Sequence, residues 1–496
     1  MAAIILAIDQ GTTSTRAVVY DSATFKELGS ASREIAQHYP KPGWVEHDAG
    51  EIWTTVADVV PKALAKAGAD AKTIAAIGIT NQRETVVLWD RATGKPVAPA
   101  IVWQDRRTTG FCRERASEGE WLRERTGLML DPYFSATKIR WMLERDPALR
   151  SATERGDIAC GTIDAWLIWN LTTGKAHVTD VTNASRTLLF NIHNLSWDEE
   201  LCRFFGVPRA ALPDVGFSSA AFGSTRGLGF LPDGIPISGV AGDQQSALFG
   251  QCAFAPGEAK CTYGTGAFFL LHTGKTPVVS KHHLLTTIAA MTGPDPRYAL
   301  EGSVFVAGAA VQWLRDGLQL FGKAEDTQEL ARNSNLAEPV LFVPAFVGLG
   351  SPYWNPEARG AILGLTRGTT TADVARAALE GVAFQVADLI EAARGDMGAA
   401  LSALRVDGGM ARNDWFLQCQ ADALGLPVLR SPHGESTALG AAFLAGIGCG
   451  LWKKEEDLRK VLAAAQSFEP QWPAEERQRR LARWRKAVQA VIAFAG

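Results

Sequence analysis

Ile4-Ile5-Leu6-Ala7-Ile8-Asp9-Gln10-Gly11-Thr12-Thr13-Ser14-Thr15-Arg16-Ala17-Val18-Val19-Tyr20 consists of an apolar run, a turn of one acid, one glycine and several hydroxyls, and a second apolar run. This pattern predicts a β-hairpin. Gly11 lets a ligand approach bare backbone, and the hydroxyls and amides of Thr12, Thr13 and Ser14 can donate to phosphate oxygens. Asp9 can hold a metal ion or its water shell. Such a turn would grip nucleotide phosphates without a Walker motif. Gly and Thr also occupy hairpin turns for backbone reasons alone, so the reading rests on whether a second such turn and a second acid exist.

Both are present. Ile235-Pro236-Ile237-Ser238-Gly239-Val240-Ala241-Gly242-Asp243-Gln244-Gln245-Ser246 runs a strand through small residues to an acid, echoing Ala7-Ile8-Asp9-Gln10. Further on, Lys260-Cys261-Thr262-Tyr263-Gly264-Thr265-Gly266-Ala267-Phe268-Phe269-Leu270-Leu271 repeats the strand, glycine-hydroxyl turn and strand. The chain therefore reads as two related α/β halves facing each other, with the boundary near Gly242 to Phe254. Residues 1–247 form an N-terminal domain carrying the first phosphate hairpin, and 248–496 a C-terminal nucleotide-binding domain. A length of 496 residues fits two domains better than one core. The cleft between them is the default ligand site.

Composition removes several function classes. Hydrophobic residues make up 47% and charged residues 21%, and no apolar run approaches the roughly 18 to 20 residues that span a bilayer. Ala2 to Ile8 lacks a basic flank and ends in Asp9, so it reads as a first strand and not a signal peptide, which sets a cytoplasmic expectation. Seven scattered cysteines without a C-x-x-C pair argue against a disulfide framework and a zinc site. The eight histidines form no metal-binding pattern. A formal charge of -3 gives no footprint for nucleic acid.

Between the two hairpins, a helix near Ala49 to Lys66 behind Asp48 and a strand from Ile74 to Ile79 lead to Asn81-Gln82-Arg83-Glu84. Arg83 and Glu84 at this strand break are either a surface pair or two heads turned into a cleft, donating to and accepting from the hydroxyls of a small polyol. Trp103 reads as a strand residue, either core or an apolar wall for ligand carbons. Tyr133 sits on the turn Asp131-Pro132-Tyr133-Phe134 before a helix whose apolar face runs through Ile139, Met142 and Leu143. Gly161 to Asn170 reads as a buried element and Ser185 to Phe217 as an irregular helical connection.

In the second half, Gly308 and Gln312 lie one helical turn apart and can both face a nucleotide, although Gly308 equally suits a close helix contact. Thr370 to Arg394 is a helix with a Thr370/Asp373 capping box. In Asp407-Gly408-Gly409, paired glycines admit a flat base or ribose, and Asn413 can hydrogen-bond it. The competing explanation is a helix start that needs glycine. Glu475 to Phe494 carries an apolar stripe of Leu481, Trp484, Val488 and Val491 under an Arg-rich face, as in a docking helix.

Taken together, Asp9-Gln10-Gly11-Thr12-Thr13-Ser14, Asn81-Gln82-Arg83-Glu84-Thr85, Asp131-Pro132-Tyr133-Phe134-Ser135, Gly242-Asp243-Gln244-Gln245, Tyr263-Gly264-Thr265-Gly266 and Asp407-Gly408-Gly409 resemble, in order and spacing, the motifs of the glycerol kinases in the FGGY carbohydrate kinase family. The likeness runs over essentially the whole chain. It implies two ribonuclease-H-like, actin-type domains with an interdomain ATP cleft and Mg²⁺. It also implies phosphorylation of glycerol to glycerol 3-phosphate, the entry step of glycerol catabolism, by a homo-oligomer, dimer or tetramer. By that likeness Arg83, Glu84, Tyr133 and Asp243 bond the glycerol hydroxyls, Gln244 lies close by, and Trp103 and Phe268 flank the carbons. Thr12, Thr13, Ser14, Arg16, Thr265, Gly308, Gln312, Gly409 and Asn413 line the nucleotide site. Asp9 and Asp243 stand near the metal, with Asp243 the catalytic base.

Two departures bear on control. Some relatives are activated by phosphorylation of a histidine before the Asp243 strand, yet no histidine lies between His193 and His272. Others bind a sugar bisphosphate beside a glycine-rich loop with an Arg just before the equivalent of Ile235, where this chain has Asp233-Gly234. Both controls are expected to be absent or altered. Two rivals stand beside the main reading: a family member acting on a pentulose or sugar acid, and a nucleotide-switched binding protein of the actin or heat-shock type. A P-loop kinase is excluded, because Gly274-Lys275-Thr276 follows Phe269 where the motif needs an upstream glycine.

Overall fold

Two mixed sheets carry the molecule in the computed structural model, which describes residues 3–334, 340–398, 400–432, 435–461 and 465–495. Ile4–Gln10 and Ser14–Asp21 pair antiparallel as the predicted hairpin, and Glu27–Glu34 extends it. Ile74–Asn81 and then Pro236–Gly242 add to its other side in parallel. The second sheet repeats this plan. Ala259–Tyr263, Ala267–Gly274 and Tyr298–Val304 form an antiparallel run, and Leu404–Asp407 and Val428–Arg430 add in parallel.

Each sheet also carries a long helix after its third strand. Ala49–Ala67 starts behind Asp48, whose side chain accepts from Gly50 N and Glu51 N, and ends at Gly68 in the left-handed region. Thr371–Met397 is closed at its start by the Thr370/Asp373 capping box. The helix at the chain's end, Ala474–Phe494, docks through buried Trp484, whose indole N–H donates to Asp388 Oδ2 at 2.7 Å.

The duplication is therefore real at the level of topology, but its register differs from the sequence echo. The counterpart of the Asp9 strand is Ala259–Tyr263, whereas Pro236–Gly242, leading to Asp243, takes the place that Val428–Arg430 holds in the other lobe. Asp9 and Asp243 stand at the ends of two strands of one sheet, with Ile74–Asn81 between them, and are not equivalents across two.

Two helices tie the lobes together. Asp243–Gly250 leaves the first sheet and packs against strands of the second, while Ser436–Gly448, from late in the chain, lies on the first sheet. The fit is backbone to backbone. A Cβ on Gly78 would collide with the Ala441 carbonyl, and one on Gly440 with the Ser246 carbonyl. Only glycine allows that approach. The first lobe is thus completed by residues far beyond 247.

Two connections differ from expectation. The strand near Trp103 stops at Ile101, so Trp103 stands on a turn. Ser185 to Phe217 contains the helix Glu199–Phe205, but also the paired strands Phe190–Asn191 and Ser196–Trp197, and Asp214–Gly216 pairs with Val178–Asp180. The cysteines are all unpaired thiols. Among the described residues no helix is long and apolar enough to cross a membrane.

Candidate active site

Three parallel strands of the first sheet end side by side, because Asp9 is in register with Thr80, and Thr80 with Ala241. Their ends deliver Asp9, the Gln82-Arg83-Glu84 segment and Asp243 to one edge. Ligands of open α/β sheets gather at such carboxyl ends. In the second sheet Thr262 pairs with Asp407, which sets the Gly264-Thr265 turn beside Gly408-Gly409.

At the first hairpin the Gly11 N–H donates to Ser14 O at 2.9 Å, closing a tight turn. Asp9, Gly11, Ser14 and Arg16 line a cavity of about 420 Å³ together with Glu435, which Arg16 meets at 2.6 Å. Burial, then the neighbouring carboxylates of Glu435 and Asp243, push the Asp9 carboxyl up to about 7, with Arg16 opposing them. The Thr12 hydroxyl accepts from the Trp103 indole N–H at 2.9 Å, which leaves its own proton free to donate. Thr13 is exposed.

The residues expected around glycerol converge. Trp103 and Tyr133 meet edge to face with centroids 5.5 Å apart. Arg83 is buried, and its Nε lies 3.1 Å from Asp243 Oδ1. The rest of its guanidinium is occupied, with Nη1 and Nη2 donating to Glu301 at 2.5 and 2.9 Å and Nη1 also to Gln245 Oε1 at 3.2 Å. Glu84 Oε1 accepts from Arg186 Nε at 2.7 Å, and Arg186 Nη2 donates to Glu301 Oε1 at 3.0 Å. Two arginines and two glutamates thus interlock in the interior. Burial works to raise Glu301, but Arg186 and Arg83 outweigh it and hold the carboxyl near about 2. Burial keeps Glu84 above its ordinary range despite the same two arginines. Glu84 also has φ 62, a left-handed conformation that non-glycine residues adopt at a cost and that concentrates at functional sites.

Asp243 is the first residue of its helix. Its Oδ1 accepts from Gln244 N at 2.7 Å and faces Arg83, while Oδ2 has no hydrogen-bond partner among the described residues. Gln244 Oε1 accepts from the ammonium of Lys260, which also donates to Thr262 Oγ1 at 3.0 Å and to the Phe268 carbonyl at 3.3 Å. Lys260 is fully buried, and burial lowers its pKa against the pull of Asp407 and Asp243.

On the other lobe Gly264 and Thr265 are exposed. The Gly308 N–H donates to Gly264 O at 3.0 Å, so Gly308 lies against this turn, and Gln312 follows on its exposed side. The two glycines after Asp407 have different reasons. Gly408 has φ 90, and a Cβ there would collide with the Tyr263 carbonyl, whereas a Cβ on Gly409 would meet nothing within 4 Å. Asn413 serves the helix start, as its Oδ1 accepts from Phe416 N at 3.0 Å and its Nδ2 donates to Thr327 Oγ1 at 3.3 Å.

Sequence reasoning missed Glu301, Arg186, Lys260 and Glu435. For Lys260 and Glu301 a signal exists: each is a lone charge inside a strand whose other residues are mostly apolar, and such a charge needs a buried partner.

The FGGY family model for the N-terminal domain of carbohydrate kinases matches residues 4–250, and that for the C-terminal domain matches 259–449. A glycerol kinase of Deinococcus radiodurans is 54% identical over 98% of this chain and 96% of its own length. One of Lactococcus lactis is 50% identical over 99% of each. The crystal structure of Plasmodium falciparum glycerol kinase with ADP superposes with a TM-score of 0.92 at 38% identity, covering 99% of this chain and 98% of that one. A gluconate kinase from Lactobacillus acidophilus, 23% identical with a TM-score of 0.88 over 100% of this chain and 98% of its own, shares the fold. With both family models matched in order and full-length relatives at half identity or better, the chain belongs to the FGGY family of carbohydrate kinases.

Proposed function

We infer that this chain transfers the γ-phosphoryl group of ATP to a terminal hydroxyl of glycerol, giving glycerol 3-phosphate and ADP. The observation that carries the catalytic assignment is the state of Asp243. One oxygen is anchored by Gln244 N and Arg83 while the other has no partner among the described residues, which is what a proton acceptor at a phosphate edge needs. Arg83, held flat by Glu301, and Glu84, held by Arg186, offer fixed polar groups to a polyol, and Trp103 with Tyr133 supplies an apolar wall. Phe268 is the proposed wall on the opposite side, and Lys260 ties its carbonyl to the Gln244 side chain.

Thr12, Thr13, Ser14, Arg16, Thr265, Gly308, Gln312, Gly409 and Asn413 are the proposed nucleotide contacts. Open space at Gly409, and no contact tighter than 3.8 Å at Gly264, support close approach of a ligand to bare backbone. The backbone N–H groups of the two hairpins and Arg16 would position the phosphates, since phosphoryl transfer is chiefly alignment and charge stabilisation.

Asp9 and Asp243 fit Mg²⁺. Burial, and after it the carboxylates of Glu435 and Asp243, raise the Asp9 carboxyl, and a cation there would favour its ionised form. Mg²⁺ is held by one or two carboxylates plus phosphate and water, so a larger cage is not needed. When bound it would neutralise charge on the β and γ phosphates. A cytoplasmic homo-oligomer, dimer or tetramer, completes the reading, and light scattering of the purified protein tests the assembly.

The decisive experiment is ADP release measured with glycerol, xylulose, gluconate or no acceptor. Glycerol is expected to give the highest kcat/KM. Release independent of any acceptor would instead favour a nucleotide-switched protein. Asp243→Asn is expected to lower kcat by about 10²- to 10⁴-fold with a smaller change in glycerol affinity, and an unchanged kcat would overturn the assignment.

A further inference from the structure

Behind the site, where helix Asp243–Gly250 ends, a second cavity of about 160 Å³ opens against the second sheet. Gln251, Cys252, Arg405, Leu429, Arg459 and Ser431 are among the residues that line it. Gln251 caps the helix carrying Asp243 and is 3% exposed, yet its Nε2 has no hydrogen-bond partner among the described residues. A buried amide N–H left unpaired is costly, so the site favours an acceptor. Arg405, on the strand Leu404–Asp407, is partly buried, and its side chain makes no hydrogen bond or ion pair among the described residues. Arg459 is held at the rim by Glu258 at 2.6 Å and lies over the Phe254 ring. Glu258 is itself bonded to Phe254 N and Ala255 N at 2.8 and 2.9 Å. The wall therefore holds two guanidinium groups beside the unpaired Gln251 amide, and the two nearby carboxylates are already engaged, Glu258 by Arg459 and Glu455 by Arg297.

We propose that this cavity binds a phosphoryl group through Arg405, Arg459 and the Gln251 amide. Nearby Cys252 is a buried thiol and offers an anion no strong acceptor competition. The planar fork of arginine suits phosphate oxygens, and an anion here would satisfy the Gln251 donor and balance Arg405. The volume takes a tetrahedral oxyanion, since a water needs only about 10–15 Å³ of such space. Because Gln251 terminates the helix that begins with Asp243, an occupant would brace that helix against the second sheet at a point away from the cleft.

The test holds the reaction site full. With EDTA and saturating ADP and glycerol 3-phosphate present, binding of radiolabelled inorganic phosphate is measured by equilibrium dialysis, and glucose 6-phosphate is run as a competitor. One saturable site per chain is expected, at least tenfold weaker in Arg405→Met and in Gln251→Leu. Competition by glucose 6-phosphate identifies a phosphomonoester headgroup as the ligand class, and its failure identifies free phosphate. No saturable binding to the wild-type protein, or equal binding in both variants, overturns the proposal. Circular dichroism guards against misfolding, and Arg459→Ala, at the exposed rim, serves where either buried variant fails to fold. This test is separable from the proposed activity, because ADP release on glycerol is assayed on the same samples.

Discussion

Glu301 shows how a single side chain can carry weight far from where its letters would be read. It is fully buried, it belongs to the second sheet, and both its oxygens are taken by arginines of the first lobe. Removing one partner of such a network leaves buried charge uncompensated. Glu301→Gln is expected to raise the glycerol KM by about tenfold or more and to lower the thermal midpoint, through loss of a bidentate anchor on Arg83. Unchanged KM with lowered stability would assign it a packing role alone. Asp164 provides the residue-scale pH prediction. Burial, then the nearby Asp180, push its carboxyl up to about 7 although Thr162 and Thr179 donate to it at 2.6 and 2.5 Å. The native protein thus binds a proton that the unfolded chain releases near 3.8, so this group's contribution to stability is present at low pH and lost as pH rises through about 7. Between pH 6 and 8 the loss is about 1 kcal/mol relative to Asp164→Asn, read as the difference in urea midpoints. A midpoint difference that does not change with pH would refute it.

Individual elements were far more legible than their partners. The hairpin Ile4–Asp21 and the hairpin Ala259–Gly274 were readable because strand, turn and strand lie within about twenty residues and the turn chemistry is local. Arg186 was not, because on its turn it reads as an ordinary charge until the fold brings it to Glu84 and Glu301, 102 and 115 positions away; the strand around Glu301 marks it as buried but does not name its partners. Trp103 was given to a strand on its apolar neighbours, but the strand stops when its pairing with Val86 and Glu46 runs out at Ile101. The Gly408-Gly409 turn sorts backbone need from ligand need. Gly408→Ala is expected to lower the thermal midpoint by several degrees, since φ 90 is strained for alanine and its Cβ would strike Tyr263. Gly409→Val is expected to leave stability nearly unchanged while raising the ATP KM. Equal effects of the two on stability would remove the argument that Gly409 faces a nucleotide.

At the scale of the molecule, chain order and spatial neighbourhood part company. The first sheet is roofed by Ser436–Gly448, which contacts Pro236–Gly242, Ile74–Asn81 and Ile4–Gln10. The isolated segment 1–250 would expose Ile5, Ala7, Ala76 and Ala241, which are buried against Leu439, Ala442 and Phe443 in the intact chain. It is expected to be aggregated or to bind a hydrophobic dye, and a monomeric fragment with sharp native dispersion in NMR would contradict this. The boundary between the lobes was legible as a change of motif, but the return of the chain was not, because Ser436–Gly448 is apolar on all sides and carries no periodic signal that would tell which sheet it covers.

That return also bears on how such a chain is inherited. A recombination between genes of two relatives at any point from 251 to 435 would join one parent's first sheet to the other parent's roof. The contact survives only if the incoming helix presents a bare backbone where Gly78, Gly239 and Ser246 press against it. Gly78, Gly239 and Gly440 therefore form one heritable unit, although more than three hundred and fifty positions separate the first from the last.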